Sequence, residues 1–277
     1  MYTINFTIII IILITLITLI INFLSYINNT LIFQPTKCND HKNIELFNKN
    51  YSDVQIQFGY INLEIHYVLL KSNTNANTLY LFSHGNAGNL INRYNSNNIK
   101  MLLNTGSVLL YDYRGYGLNN GTPSEANLRE DIMAVWNYIP TLGYKHSETI
   151  LYGESLGCSI SSWFCANLAQ DDWPKGLILQ SGFYSISKLV SELAHPLLCY
   201  LLTVDFNNAK YIEEIKNKKN DFPIIILHSK TDGLINYNHA RNLSDEFGCK
   251  LLEIKGDHNN PIFTSECVDY ISSNIKK

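Results

Sequence analysis

The chain opens on an unbroken apolar run and then changes character. From Phe6 to Leu24, FTIIIIILITLITLIINFL carries no charged residue over 19 positions. At about 1.5 Å of rise per helical residue, such a segment covers roughly the 30 Å hydrocarbon core of a bilayer. Tyr2, Phe6, Phe23 and Tyr26 lie near its ends, where aromatic rings favour the membrane–water interface. No Lys or Arg precedes the run and no A-x-A-like site follows it. An uncleaved transmembrane anchor over residues 6–24 is therefore expected, in preference to a signal peptide. Residues 25–50 are polar and aperiodic and read as a linker.

From residue 51 to 277 the pattern becomes periodic and predicts one α/β domain. Eight short β-branched runs read as strands: SDVQIQF, LEIHYVLL, TLYLFSH, SVLLYDY, TILYGES, GLILQSG, PIIILHS and CKLLEIK. The later runs are nearly continuous in apolar residues, as strands buried on both faces of a parallel sheet must be. The first two alternate, which suits an antiparallel hairpin at one edge. Helical patterns fall at 86–104, 124–139, 155–168, 236–247 and 264–276. Pro123 and a Ser124 cap ahead of acidic residues mark one helix start. Repeated strand–helix–strand units imply right-handed crossovers and a doubly wound sandwich.

Composition narrows the function classes. A formal net charge of -3 supplies no basic field, so nucleic acid is not an expected partner. The six cysteines form no C-x-x-C pair, which argues against a zinc site. They read as buried thiols, with bridges only in an oxidising compartment. The side of the membrane stays open. Lys37 and Lys42 after the span favour a cytosolic domain, whereas sequons at Asn28, Asn50, Asn120 and Asn242 suit a lumenal one.

Candidate chemistry centres on GESLG, a G-x-S-x-G pattern with Ser155 between Gly153 and Gly157. The stretch reads as strand, tight turn, helix, the context of a nucleophile elbow. A packing contact between small residues would also explain the glycines, but not the preceding buried strand. A serine hydroxyl needs a base, and the base needs an orienting acid. Asp232 follows PIIILHS, and His258 follows the final strand, in the order Ser, Asp, His that this fold uses. Asp257 is adjacent to the histidine and is expected to point elsewhere. His84 reads as structural, His66 and His239 as surface or half-buried, and His228 as lying near the acid. Donors for an oxyanion are expected from the backbone N–H groups of Leu156 and of Asn86 in SHGNAGNL. That loop is neither G-x-G-x-x-G nor a P-loop, so a nucleotide is not expected.

Together SHGNAGNL, YDYRGYG, GTPSE, GESLG and GDHNN resemble the membrane-anchored α/β-hydrolase domain-containing family, the bud-emergence-type serine hydrolases. The likeness runs from about Val54 to the C-terminus. It implies an α/β-hydrolase fold with a small cap, a Ser155–Asp232–His258 triad, and Asn86 in the oxyanion loop. It also casts Asp112 and Arg114 as loop braces. Between Phe183 and Phe222 there is room only for a small cap around KLVSELAHPLLCYLLTV, which either lines an acyl site or packs on the sheet. Relatives that cut peptides carry a larger lid, so a serine peptidase is disfavoured.

The expectation is a single-pass membrane serine hydrolase that needs no metal or organic cofactor. It would cleave a lipid ester or the thioester of an S-acylated protein. A catalytically silent hydrolase fold serving as a membrane interaction module is the alternative. A dehalogenase or epoxide hydrolase is rejected, because those need a carboxylate where this chain has Ser155.

Overall fold

The structure, a computed structural model, describes residues 6–38, 54–62, 64–73, 77–94, 96–169 and 172–275. The strands are β1 (Gln34–Pro35), β2 (Gln55–Ile61), β3 (Ile65–Lys71), β4 (Leu79–Ser83), β5 (Ala87–Gly88), β6 (Ser107–Tyr111), β7 (Thr149–Glu154), β8 (Gly176–Gln180), β9 (Ile224–Ser229), β10 (Lys250–Gly256) and β11 (Pro261–Ile262). Nine of them form one sheet in the order β2-β3-β6-β4-β7-β8-β9-β10-β11. From β6 to β10 the neighbours are parallel, while β2, β3 and β11 add antiparallel edges. This is the α/β-hydrolase fold, and all eight expected strands are present.

Alternation along the central strands divides the core into two layers, because successive side chains leave opposite faces of a sheet. Leu79 and Leu81 of β4 join one cluster, and Tyr80 and Phe82 join the other. Helices α1 (Phe6–Ile32), α2 (Leu90–Arg93), α3 (Asn97–Leu103), α4 (Glu125–Tyr138), α5 (Leu156–Asn167), α6 (Ile186–Leu193), α7 (Asn208–Lys218), α8 (Tyr237–Phe247) and α9 (Ser265–Ile275) complete the fold. Helices α4, α5, α7 and α8 cover the first cluster, and α3 and α9 the second. The cap of α4 forms as its sequence implies, with Ser124 Oγ accepting the Asn127 N–H at 3.2 Å. The single helix expected over 86–104 is instead two short ones. Ser96 stands at the N-cap of the second with extended dihedrals, φ -70° and ψ 159°, which interrupts the helical backbone.

The N-terminal region departs most from expectation. Helix α1 runs 27 residues, to Ile32 and not to Leu24. From Ile8 to Phe23 every residue is exposed, whereas Asn28 and Phe33 are buried against the domain. Strand β1 then pairs in parallel with β5, in the loop that follows β4. The linker expected over 25–50 is thus corrected for residues 25–38, which are helical or packed. Phe33 stacks edge-on with Phe206, and this burial holds the chain down. Residues 39–50 of that expectation lie outside the described residues. The Asn28 amide donates to the carbonyls of Leu24 at 2.7 Å and Leu201 at 2.9 Å, so its sequon is occupied by packing.

Candidate active site

Ser155 stands where β7 turns into α5, with φ 53° and ψ -114°. A non-glycine residue at positive φ is strained, and such strain persists only when the surroundings hold it. The glycines on either side permit the turn. A Cβ on Gly157 would lie 2.0 Å from Ser83 O, and one on Gly153 2.5 Å from Cys158 Cα. The elbow therefore presses directly onto the end of β4. Ser155 is 7% exposed, and its N–H donates to Gln180 O at 2.9 Å.

The loops after β9 and β10 bring the other two side chains to it. His258 Nδ1 donates to Asp232 Oδ2 at 2.8 Å, and Ser155 Oγ donates to His258 Nε2 at 3.1 Å. The tautomer follows from the acid: with its proton on Nδ1, the ring presents a lone pair to the serine. Asp232 Oδ1 accepts the N–H groups of Leu234 and Ile235, each at 2.9 Å. Burial alone would raise the Asp232 pKa. The His258 bond and these two N–H groups outweigh it and hold the carboxyl below its usual range. Asp257 turns away, accepting the N–H groups of Asn259 and Asn260. His228 lies behind the acid, 3.6 Å from Asp232 Oδ2, and donates to Ile235 O.

The loop carrying Asn86 is fixed carbonyl by carbonyl. Tyr113 Oη donates to His84 O and Tyr116 Oη to Asn86 O, both at 2.7 Å, and Gln34 N–H also donates to Asn86 O at 3.0 Å. His84 Nδ1 donates to Gly85 O at 2.7 Å. The Asn86 N–H sits across that trans peptide from the Gly85 carbonyl, so the imidazole fixes the direction of the N–H. Leu156 is the first residue of α5, where an N–H has no intrahelical acceptor. Asn86, Ser155 and Leu156 line one cavity together.

One support was not legible beforehand. Arg93 pairs with Glu154 at 3.0 Å and ties the Asn86 loop to the elbow. Their opposite charges are the only hint in the sequence. Asp112 accepts the Leu90 N–H at 2.7 Å, and Arg114 grips Asp131, so both act as loop braces. Burial drives His84 down to about 3 and Asp112 up to about 7, with His84 Nε2 3.6 Å from Asp112 Oδ1. His66 and His239, expected at or near the surface, are both buried. His239 accepts the Tyr184 N–H and donates to Glu192, which ties α8 to α6.

Above Ser155 lies a cavity of about 420 Å³. Its walls come from α1, from α6 and from the turn at Pro196–Leu201 that follows α6. The KLVSELAHPLLCYLLTV segment thus lines the cavity. Among the described residues, no group of three or more His, Cys, Asp or Glu is placed to hold a metal ion.

No protein-family model matches the chain. It is 31% identical over 274 residues to an uncharacterised protein, R595, of Acanthamoeba polyphaga mimivirus, covering 88% of this chain and 90% of that protein. It is 30% identical over 177 residues to the human alpha/beta hydrolase domain-containing protein 17B. That match covers 62% of this chain and 56% of the human protein, little more than half its length. Among solved structures, an alpha-beta hydrolase from Vibrio vulnificus superposes with TM-score 0.60 at 20% identity, over 87% of this chain and 95% of that one. A Pyrococcus furiosus esterase gives 0.61 at 14% identity, over 88% and 97%. At these identities the solved structures speak to the fold.

Proposed function

We propose that this chain is a membrane-anchored serine hydrolase of the α/β-hydrolase domain-containing kind, cleaving an acyl ester or thioester; its likeness to alpha/beta hydrolase domain-containing protein 17B and its hydrolase fold support the reading. The observation that carries the reading is the Ser155–His258–Asp232 relay on the floor of an apolar cavity. His258 Nε2 takes the hydroxyl proton as Ser155 Oγ attacks the acyl carbon, and Asp232 stabilises the imidazolium that forms. The carbonyl oxygen, now negative, is placed to accept the N–H groups of Asn86 and Leu156. Collapse breaks the C–O or C–S bond, and the leaving alcohol or thiol takes the proton from His258. Water then repeats the sequence on the acyl-enzyme, releasing the acid and restoring Ser155.

Helix α1 supports anchoring by its length, its apolar composition and its exposed surface. A silent interaction module would have no use for a strained Ser155 bonded to a correctly protonated histidine. The small cap and its apolar walls suit an alkyl group better than a peptide. The test is labelling of the full chain with a fluorophosphonate probe. Wild type should label and Ser155→Ala should not. Equal labelling of the two, or none of wild type, refutes the mechanism.

A further inference from the structure

Helix α1 is too long to be an anchor alone. Its 27 residues measure about 40 Å at about 1.5 Å each, against a hydrocarbon core of about 30 Å. The surplus is its C-terminal end, and that end is held at two places. Towards the reacting serine, Ile32 O accepts the Asn86 side-chain amide at 3.1 Å. Towards the cap, the buried Asn28 amide donates to Leu201 O. Leu24, Asn28 and Ile32 recur every four residues, so they share one helix face. All three line the cavity.

The opposite wall is α6, where Ile186, Leu189, Val190 and Leu193 form an apolar stripe at helical spacing. Among the described lining residues only Asn28, Asn86 and Ser155 are polar, and Asn28 spends its amide on carbonyls. Such a lining suits an alkyl chain better than a headgroup or a peptide backbone. The outer edge of the cap exposes Leu193, Leu197, Leu198 and Leu201, beside the exposed stretch of α1. An alkyl chain entering by that edge meets apolar surface throughout.

We propose that the last two turns of α1 are a wall of the acyl-binding site, so that the anchoring helix determines which acyl chain lengths are cleaved. The inference rests on the serine-hydrolase reading and adds the substrate class, a long-chain acyl group. Leu24 lies eight residues from Ile32, about 12 Å of helix. With carbon bonds of about 1.5 Å and angles near 111°, an extended chain advances about 1.25 Å per methylene, so about ten methylenes fit.

The experiment uses the full chain in vesicles with two pairs of substrates: butyryl and lauroyl esters of glycerol, and butyryl and lauroyl thioesters of a cysteine peptide. Leu24→Trp and Ile27→Trp obstruct the end of the site away from Ser155. They should lower the ratio of lauroyl to butyryl kcat/KM about tenfold or more, with fluorophosphonate labelling reporting that the variant is folded and reactive. Chain-length dependence in the glycerol arm assigns a lipid source, and in the peptide arm a protein-bound acyl group. If either tryptophan variant loses labelling, Leu24→Ala and Ile27→Ala decide, and should move the preference towards longer chains. Labelled variants with the wild-type ratio of lauroyl to butyryl rates in both arms overturn the inference while leaving the mechanism standing. Wild-type protein that neither labels nor hydrolyses any of the four overturns both.

Discussion

Asp232→Asn tests the proposed mechanism through one proton. In the wild type, Oδ1 accepts two backbone N–H groups and Oδ2 accepts His258 Nδ1 at 2.8 Å. An asparagine amide has one oxygen and one NH2, and the two fixed N–H groups decide which goes where. The oxygen must stay on Leu234 and Ile235, since an amide nitrogen there would face two donors. The NH2 therefore faces His258 Nδ1, which has to become an acceptor. The ring proton moves to Nε2, 3.1 Å from Ser155 Oγ, and the serine loses its base. Shape, burial and all three bonds survive, so the variant should fold. The loss expected for a wrong tautomer is about 10⁴ in kcat, or about 5.5 kcal/mol at about 1.4 kcal/mol per tenfold. Turnover of a chromogenic acyl ester measures it, and the thermal midpoint reports folding. A folded variant within tenfold of wild type would refute the assignment of Asp232 as the orienting acid.

Gly157→Ala should destabilise the protein by about 1–3 kcal/mol or more, because the added Cβ meets the backbone of Ser83 and His84 and no flexible side chain can yield. The thermal midpoint checks this, and an unchanged midpoint would mean that the elbow does not press on β4. His239→Gln addresses pH. Burial holds the His239 pKa below its usual value despite Glu192, and Lys188 pushes the same way. Below the unfolded value of about 6.5 the unfolded chain therefore binds a proton that the native protein refuses. Stability contributed by neutral His239 is full above that pH and is lost as pH falls towards the lower native value. Glutamine offers an acceptor to Tyr184 and a donor to Glu192 without titrating. It should flatten the acid slope of urea midpoints by at most about 1.4 kcal/mol per pH unit; an unchanged slope would count against the assignment.

The candidate triad was more legible in the sequence than the pocket, and the reason is physical. Ser155 and Asp232 each follow a buried strand, and a strand covered on both faces announces itself by its apolar letters alone, while His258 follows a partly exposed strand that still shows an apolar run in LLEI. The turn at Ser155 was legible for a similar reason, since close backbone approach admits only glycine at Gly153 and Gly157. Local rules of this kind act over a few residues. The pocket walls obey no such rule. Leu24 and Ile27 line the cavity, while Leu13 and Leu16 are exposed along the same helix. Burying a leucine in protein or in lipid satisfies the same requirement, so its letter does not say which. Asn28 was the one informative residue, and it pointed the wrong way. A polar group after an apolar run reads as a loop, unless a carbonyl 173 residues away waits to receive it. His239 misled in the same manner, because its partners Tyr184 and Glu192 belong to the cap. Short-range sterics thus shape the candidate chemistry of this chain, whereas the shape of its pocket depends on contacts between α1 and the cap that no sequence spacing encodes.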